Sequence, residues 1–235
     1  MNNVDWTNMA SKGIAEKLQN GLDKLELTLN DHQKTQLLDY LDLLRKWNKA
    51  FNLSGVKDSS EMLSRHLLDS LTLVPFIKGQ RVLDVGTGPG LPGIPLAICF
   101  PEKRFVLLDS NGKKTRFVFQ AKLQLGLDNV DVQNKRIEDF HSQEPVDTIV
   151  CRAFSSLADL INVTRHLSVR SVGAAELGAA IQTKIIAMKG QYPADEIALL
   201  PDGFKHISTK KVDVPGSVAE RHIIEIIASE LHPIG

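Results

Sequence analysis

The chain has 235 residues, of which 43% are hydrophobic and 24% charged; this composition predicts a globular protein with one sizeable core and excludes a low-complexity chain. Its 28 Lys and Arg residues balance 28 Asp and Glu residues, so a globally basic surface is excluded and any nucleic-acid site has to be a local cluster.

Cys99 and Cys151 lie inside apolar runs, which predicts buried free thiols and neither a metal site nor a disulfide framework. The chain lacks a signal-like N-terminus and an apolar run of about 18 residues, so we expect a cytoplasmic protein with no membrane partner.

The first 78 residues predict three amphipathic helices. Apolar residues recur at helical spacing over Ile14–Leu25, and Asn30 with Gln33 offers a capping box for a second helix. A third helix begins near Asp58 and ends at Pro75, which cannot continue it. We therefore expect an N-terminal helical cap at residues 1–78.

Two polar segments interrupt this cap, and each has two interpretations. The segment Trp47–Ser54 mixes aromatic, amide and lysine side chains. It either binds RNA by base stacking and phosphate contact, or its two aromatic residues continue the apolar stripe of the helix into the core. Arg65, His66 and Asp69 place three polar groups on one helix, where they either face a nucleotide site or form a structural pair.

The stretch Arg81–Gly93 is the strongest functional signal in the chain. The apolar residues of Val82–Val85 predict a buried parallel strand, the glycines that follow predict a tight turn, and Ile94–Phe100 predicts a helix. A phosphate or adenosine lies directly against backbone only where no Cβ intervenes, and the helix directs free N–H groups toward negative charge. Strand, turn and helix in this order predict a nucleotide-binding turn.

Two ligand classes fit the spacing of these glycines. Gly88-x-Gly90-x-x-Gly93 matches the dinucleotide fingerprint, which would make the protein an NAD-linked oxidoreductase. An acid followed by glycines at alternate positions is instead typical of S-adenosylmethionine (SAM) methyltransferases, in which the acid meets the methionine ammonium. In that case the cofactor-binding residues here are Asp84, Gly86, Gly88 and Gly90. A glycine turn without a ligand is the third interpretation, and the pattern alone leaves all three open.

Two further strand ends bring polar groups to the same edge of the predicted sheet. The strand Arg104–Asp109 ends in the Asp109 carboxylate about 20 residues beyond the glycines, where an acid accepts ribose hydroxyls of a dinucleotide or of SAM. After the next strand, Val130–Val132, Ile137 is placed to cover an adenine ring and Glu138 to meet its exocyclic amine. The sequence thus predicts a nucleoside pocket at the carboxyl ends of the strands.

The remaining strands complete an α/β sheet. Asp147–Cys151 is followed by Arg152, and an arginine leaving a buried strand is costly without an anion, which favours contact with a ligand or an RNA phosphate. Further strands are predicted at Lys184–Gly190, Phe204–Val214 and Glu220–Ala228. A seven-stranded, mostly parallel, Rossmann-like sheet with an antiparallel terminal hairpin, over residues 79–235, fits a SAM-dependent methyltransferase better than a doubled dinucleotide fold.

Seven short motifs support a resemblance to a known family. They are Leu43–Leu53, Arg65–Ser70, Asp84–Pro95, Leu107–Ser110, Arg152–Phe154, Met188–Gly190 and Glu220–His222. In this order they resemble the bacterial 16S ribosomal RNA guanine-N(7) methyltransferases, also called the glucose-inhibited division protein B family. The chain departs from that family at Ser168–Thr183, where an Ala-, Gly- and Ser-rich loop or weak helix replaces a short turn.

The resemblance implies a SAM-dependent enzyme that methylates N7 of one guanine in the 530 loop of 16S ribosomal RNA. Its partner would be that RNA within the 30S subunit or an assembly intermediate. By similarity, the SAM site contains Gly86, Leu91, Ile137, Glu138 and Arg152. The family also places on the cationic rim of the active site and the RNA path Arg136, Lys189 and Arg221.

The chemistry of guanine N7 removes the need for a Ser-His-Asp or Cys-His constellation. N7 has an available lone pair and no proton to lose, so direct in-line attack on the sulfonium methyl needs alignment and desolvation but no general base. Arg152 and Lys189 are the expected catalytic residues, and we expect them to hold the base or the RNA backbone without exchanging protons. A non-catalytic ribosome-binding protein with SAM as a structural ligand is the remaining alternative. We expect a monomer because no free heptad seam remains.

Overall fold

A computed structural model describes residues 9–168 and 182–229 of the chain. The predicted loop or weak helix at Ser168–Thr183 lies outside these described residues except at its two ends. Within the described part of the chain, none of the helices has the length and the apolar composition that a membrane crossing needs.

The predicted N-terminal helices are present. They are α1 (Met9–Lys24), α2 (Asp31–Phe51), α3 (Ser59–Met62), a π-helical segment (Leu63–Leu68), α4 (Asp69–Leu71) and a 3-10 turn (Val74–Phe76). Helix α2 begins where predicted because the Asn30 side chain accepts the Gln33 N–H (2.9 Å) and the Gln33 side chain accepts the Asn30 N–H (3.0 Å). The third helix runs from α3 through the π-helical segment to α4, and it stops before Pro75.

The described chain forms one seven-stranded sheet. Its strands are β1 (Arg81–Val85), β2 (Arg104–Leu108), β3 (Val130–Gln133), β4 (Thr148–Arg152), β5 (Lys184–Lys189), β6 (Phe204–Lys211) and β7 (His222–Ala228). The spatial order is β3-β2-β1-β4-β5-β7-β6; β1 to β5 are parallel, and β7 is antiparallel to β5 and β6. This topology confirms the predicted Rossmann-like fold and its terminal hairpin. The strand order reverses between β1 and β4, and the carboxyl ends of such strands form the crevice in which ligands bind.

The helices that connect the strands cover both faces of the sheet. They are α5 (Gly93–Cys99), α6 (Gly112–Leu125), α7 (Leu157–Ser168) and α8 (Ala194–Ala198). One hydrophobic cluster joins Leu44 and Leu67 of the N-terminal helices to Phe105 of β2 and Phe117 of α6. A second cluster packs α7 against the other face. Apolar contacts thus cross the boundary between residues 1–78 and 79–235, and the division into two domains stays a prediction.

The aromatic residues at the end of α2 have different environments. The ring of Trp47 lies 5.6 Å from the ring of Phe117, centroid to centroid, and packs against the core. Phe51 is 51% exposed, although its ring lies 5.2 Å from that of Trp47. The core interpretation is therefore confirmed for Trp47 and wrong for Phe51, because α2 reaches the molecular surface in its last turn.

The two cysteines are free thiols, as predicted. Cys151 is buried and Cys99 is partly buried. Burial raises the pKa of Cys99 to about 12 and also raises the pKa of Cys151, so neither thiol is a nucleophilic thiolate near neutral pH.

Candidate active site

The glycine turn after β1 contains two kinds of glycine. Gly86 and Gly88 have positive φ angles (70° and 59°), and a Cβ added to either one would meet no atom closer than 4.0 Å. A Cβ on Gly90 would lie 2.6 Å from Ile94, and one on Gly93 would lie 2.7 Å from Asp84 Oδ2. The first two glycines therefore leave space beside bare backbone, whereas the last two are needed for close packing inside the protein.

Asp84 lies at the centre of this turn and is fully buried. Its Oδ2 accepts hydrogen bonds from Thr87 Oγ1 (2.6 Å) and from the N–H of Gly93 (2.8 Å). Its Oδ1 has no hydrogen-bond partner among the described residues. Burial raises the pKa of Asp84 to about 6, although the hydrogen bonds from Thr87 and Gly93 act in the opposite direction. A buried carboxylate oxygen without a donor suits a cationic ligand group.

Asp109 ties the glycine turn to the neighbouring strand end. Its Oδ2 accepts the N–H of Gly88 (2.8 Å), and its Oδ1 accepts the N–H of Asn111 (2.8 Å). The loop after β3 joins the same point, because Asn134 Nδ2 donates to the Asp109 carbonyl oxygen (3.0 Å). Each carboxylate oxygen keeps a lone pair for a further donor such as a ribose hydroxyl.

A cavity of about 360 Å³ lies at these strand ends. Its lining includes the predicted residues Gly86, Asp109, Arg136, Ile137, Glu138 and Arg152. A larger cavity of about 640 Å³ lies at the opposite edge, around the starts of β1 to β3, with lining residues of both charges. We assign function to the smaller cavity because ligands of parallel sheets bind at the carboxyl ends of the strands.

Several predicted site residues lie outside the lining of this cavity. They are Asp84, Gly88, Gly90, Leu91, Lys189 and Arg221. The Leu91 side chain is 2% exposed and belongs to the hydrophobic core, and its backbone N–H donates to the Thr87 carbonyl oxygen (2.8 Å). The lining also includes Ala153, which the site prediction missed and which has a left-handed backbone (φ 64°) that is rare outside glycine.

Arg152 has an anionic partner within the chain. Its Nη1 lies 3.3 Å from Asp69 Oδ2 and donates to the carbonyl oxygen of Arg65 (3.1 Å). Asp69 Oδ1 in turn accepts from Arg221 Nε at 2.6 Å. The expectation that a ligand or RNA phosphate alone balances Arg152 is therefore corrected: a carboxylate of the N-terminal helices does part of this. Of the three polar residues of the Arg65-His66-x-x-Asp69 motif, Asp69 therefore contacts a residue of the cavity lining.

His66 fills a structural position in the same motif. Its Nε2 lies 2.7 Å from Ser54 Oγ, and Asn48 Oδ1 accepts the N–H of Ser54 (2.7 Å). Burial, followed by the charge of Arg152, lowers the pKa of His66 to about 4, so the imidazole is neutral at pH 7. The Arg65 side chain points away to an exposed ion pair with Glu61 (2.6 Å).

Lys189 is held at the end of β5. Its Nζ lies 2.9 Å from Glu196 Oε2 and 3.4 Å from the carbonyl oxygen of Phe154. Glu196 Oε2 also accepts the N–H of Leu157 (2.6 Å) at the start of α7. Arg136, by contrast, is exposed and forms no ion pair within residues 9–168 and 182–229. The predicted cationic rim therefore consists of one free cation and two that already have carboxylate partners.

Among the described residues, no group of three or more His, Cys, Asp or Glu side chains is arranged to hold a metal ion. The cavity lining contains a ribose-type acceptor, Asp109, and the guanidinium of Arg152, and the unpaired carboxylate oxygen of Asp84 is buried in β1, the strand that leads to the lining residues Val85 and Gly86. This set suits an adenosine-bearing ligand that carries both an ammonium and a carboxylate group.

Comparison with known proteins agrees with this arrangement. The family model described as rRNA small subunit methyltransferase G matches residues 33–224. The ribosomal RNA small subunit methyltransferase G of Ectopseudomonas mendocina is 51% identical over 212 residues, which cover 89% of this chain and 94% of that protein. The protein of the same name from Escherichia coli O17:K52:H18 is 45% identical over 218 residues, which cover 93% of this chain and 100% of that protein.

Solved structures share the fold at much lower identity. Magnesium protoporphyrin IX methyltransferase from Synechocystis PCC 6803 with bound SAH gives a TM-score of 0.54 at 17% identity, over 81% of this chain and 100% of that chain. The same enzyme with bound SAM gives a TM-score of 0.53 at 18% identity, over 81% of this chain and 98% of that one. At this identity, the likeness shows the fold alone.

Proposed function

Because the chain belongs to the rRNA small subunit methyltransferase G family, whose members are SAM-dependent methyltransferases, we propose that it methylates N7 of one guanine in the 530 loop of 16S ribosomal RNA. Membership of this methyltransferase family excludes the two alternative functions, an NAD-linked oxidoreductase and a non-catalytic ribosome-binding protein. The choice of N7 as the methylated atom and of the 530 loop as its location rests on the resemblance of the seven sequence motifs to the guanine-N(7) methyltransferase family. The observation that carries the proposal is the cavity at the strand ends, whose lining brings together the predicted nucleoside-binding residues Gly86, Asp109, Ile137 and Glu138.

The residues at the cavity fit SAM. We assign the unpaired Oδ1 of Asp84 to the methionine ammonium and the Asp109 carboxylate to the ribose hydroxyls. Ile137 is 7% exposed and offers an apolar wall for the adenine ring, and Glu138 is exposed next to it and suits the exocyclic amine. Gly86 leaves bare backbone where a side chain would fill the space that the ligand needs.

The reaction needs alignment more than acid–base chemistry. Bound SAM supplies an electrophilic methyl group on a sulfonium. The lone pair of guanine N7 would form the new N–CH₃ bond as the S–CH₃ bond breaks and leaves its electron pair on sulfur. The positive charge would pass from sulfur to the guanine ring, and no proton would be transferred. A protein that holds the two reactants in line and excludes water therefore supplies most of the catalysis.

Arg152 and Lys189 are suited to this positioning role. Arg152 lines the cavity, and Asp69 and the Arg65 carbonyl oxygen occupy only part of the N–H donors of its guanidinium. Lys189 is fixed by Glu196 beside the carbonyl group of Phe154, a residue of the cavity lining. We propose that the two cations hold the target guanine or the adjoining RNA backbone against the methyl donor, and that Arg152, which lines the cavity, also contacts the bound SAM.

The RNA path is proposed from the remaining cations. Arg136 is exposed at the cavity and forms no ion pair among the described residues, so it suits a phosphate contact. Arg221 keeps donors beyond the one that Asp69 occupies. The proposed partner is 16S ribosomal RNA within the 30S subunit or an assembly intermediate, bound by a monomer in the bacterial cytoplasm, where ribosomes are assembled.

Methyl transfer to 30S subunits that lack the modification tests this proposal. The subunits, or naked 16S RNA, are incubated with methyl-labelled SAM and excess enzyme, and the single-turnover rate is followed at saturating SAM. We expect a rate that is nearly constant between about pH 7 and pH 9, because no proton is removed. A rate that climbs about tenfold per pH unit would indicate a general base and contradict the mechanism. Lys189→Ala should lower the rate and leave SAM affinity intact.

A further inference from the structure

The geometry around Asp69 points to a positioning residue for the reaction, an inference that rests on the proposed function. We propose that this buried carboxylate orients Arg152 toward the cofactor cavity and Arg221 toward the RNA. One acid of the N-terminal helices would then control both binding sites. Asp69 touches neither ligand in this proposal and acts only through the two guanidinium groups.

The contacts of Asp69 are divided between the two arginines. Its side chain is 1% exposed, Oδ1 lies 2.6 Å from Arg221 Nε, and Oδ2 lies 3.3 Å from Arg152 Nη1. The side chains of Arg152 and Arg221 are 19% and 23% exposed, so both are largely buried but still reach the surface. Because Asp69 occupies one N–H edge of each guanidinium, the remaining donors are left in a fixed orientation.

The charges of this group favour an anionic ligand. Two guanidinium groups and one carboxylate leave an excess of one positive charge in a largely buried place. The Lys189–Glu196 pair on the next strand end is neutral by the same count. The Asp69 group is therefore a largely buried place near the cavity where a carboxylate or a phosphate would complete the charge balance.

The local backbone explains how Asp69 reaches the arginines. Asp69 follows directly on the π-helical segment Leu63–Leu68, and such segments are rare and shift the side chains that follow them around the helix axis. Ser70 Oγ donates to the His66 carbonyl oxygen (2.6 Å), and Thr72 Oγ1 donates to the Asp69 carbonyl oxygen (2.6 Å). These bonds hold the turn that carries the carboxylate, as a positioning role requires.

The test uses the full-length chain with Asp69→Asn, which keeps the size of the side chain and removes its charge. SAM affinity is measured by calorimetry, and affinity for 30S subunits is measured by filter binding without turnover. We expect both dissociation constants to rise by about tenfold, since both arginines lose their shared anchor. Asp42→Asn is the matched control: it removes the charge of another partly buried carboxylate, which pairs with Arg45 and Lys46 in α2, and it should leave both constants unchanged.

A folded Asp69→Asn protein with wild-type affinity for either ligand would overturn the proposal, because the two effects are required together. Asp69→Glu, which keeps the charge and moves it by one methylene group, is the second variant if Asp69→Asn does not fold. If neither variant folds, Asp69 is a folding residue and the positioning role is refuted. The binding measurements do not depend on methyl transfer, so failure of the wild-type enzyme to methylate 30S subunits would reject the proposed function separately.

Discussion

Asp84 shows how one buried residue can serve both the fold and the ligand. One oxygen closes the glycine turn through Thr87 and Gly93, and the other has no donor among the described residues. Burial raises the pKa of Asp84 to about 6 because it disfavours the charged carboxylate, and a cationic partner would stabilise that charge.

This pKa predicts a pH dependence of SAM affinity. Below pH 6 the free protein holds Asp84 protonated, and a neutral carboxyl group cannot pair with the methionine ammonium. The dissociation constant of SAM should therefore rise about tenfold between pH 7 and pH 5, as a single protonation with this pKa requires. Calorimetry across this range measures it. His66 does not titrate in this window, since its pKa is about 4. In Asp84→Asn the affinity should be weaker and nearly independent of pH; an unchanged slope would show that another group is responsible.

Substituting the two kinds of glycine should have different effects on stability and on SAM affinity. Gly86→Ala adds a Cβ into open space at a positive φ, so it should cost roughly 1–2 kcal/mol of stability and lower SAM affinity by more than about tenfold. Gly93→Ala forces a Cβ against Leu107 and Asp84 and should cost about 1–3 kcal/mol. Urea unfolding and calorimetry distinguish them. Wild-type SAM affinity in Gly86→Ala would refute the role of this glycine.

The sequence predicts residues that follow strand ends better than residues that approach from elsewhere. Gly86, Asp109, Ile137 and Arg152 were predicted at one edge because the carboxyl ends of parallel strands meet there, and all four line the cavity. Asp69 lies 83 residues from Arg152 and 152 residues from Arg221. No local pattern encodes contacts over such separations, so only the packed structure brings these side chains together.

At the scale of elements, one glutamate links α8 to α7 and β5 and positions Lys189. Glu196 of α8 accepts the N–H of Leu157 at the start of α7 and pairs with Lys189 at the end of β5. Its carboxylate therefore caps one helix and fixes one site residue. The apolar run of Lys184–Gly190 predicts β5 correctly, but no pattern in the sequence gives Lys189 a partner. The π-helical segment before Asp69 was also missed, because one inserted residue barely disturbs a helical apolar pattern.

Glu196→Ala should lower the free energy of unfolding by about 1–2 kcal/mol, because it removes a helix cap and leaves Lys189 partly buried without its carboxylate. Urea denaturation of the variant measures the loss. Asp195→Ala, at the exposed neighbouring position, should change stability by less than about 0.5 kcal/mol. Equal effects of the two substitutions would contradict the capping role.

At the scale of the whole molecule, the N-terminal helices and the sheet share one hydrophobic cluster. Leu44 and Leu67 lie in the same core as Phe105 and Phe117, and Tyr40 Oη donates to the Pro89 carbonyl oxygen (2.7 Å) inside the glycine turn. The periodicity of the sequence predicts helices in this region but not which face of the sheet they cover. The boundary at residue 78 therefore separates helices from strands along the chain, and we do not expect the two parts to fold independently.

We expect the full chain to unfold in one cooperative transition. With Trp6→Phe, the fluorescence of Trp47 reports the contact between α2 and α6, and circular dichroism reports the whole fold. The two urea curves should coincide, and residues 79–235 expressed alone should not fold, because the apolar face under α2 would be exposed. Two separated transitions, or a folded fragment, would show that the helices form an independent domain.

The most specific part of the proposed function is the identity of the methylated atom. 16S RNA from the reaction with 30S subunits is reduced with borohydride and cleaved with aniline, which breaks the chain only at N7-methylguanine, and the break is mapped by primer extension. We predict a single enzyme- and SAM-dependent break within the 530 loop, greatly reduced when Arg152→Ala replaces the wild-type enzyme. Transfer of label to the RNA without such a break, or a break in another loop, would contradict the account.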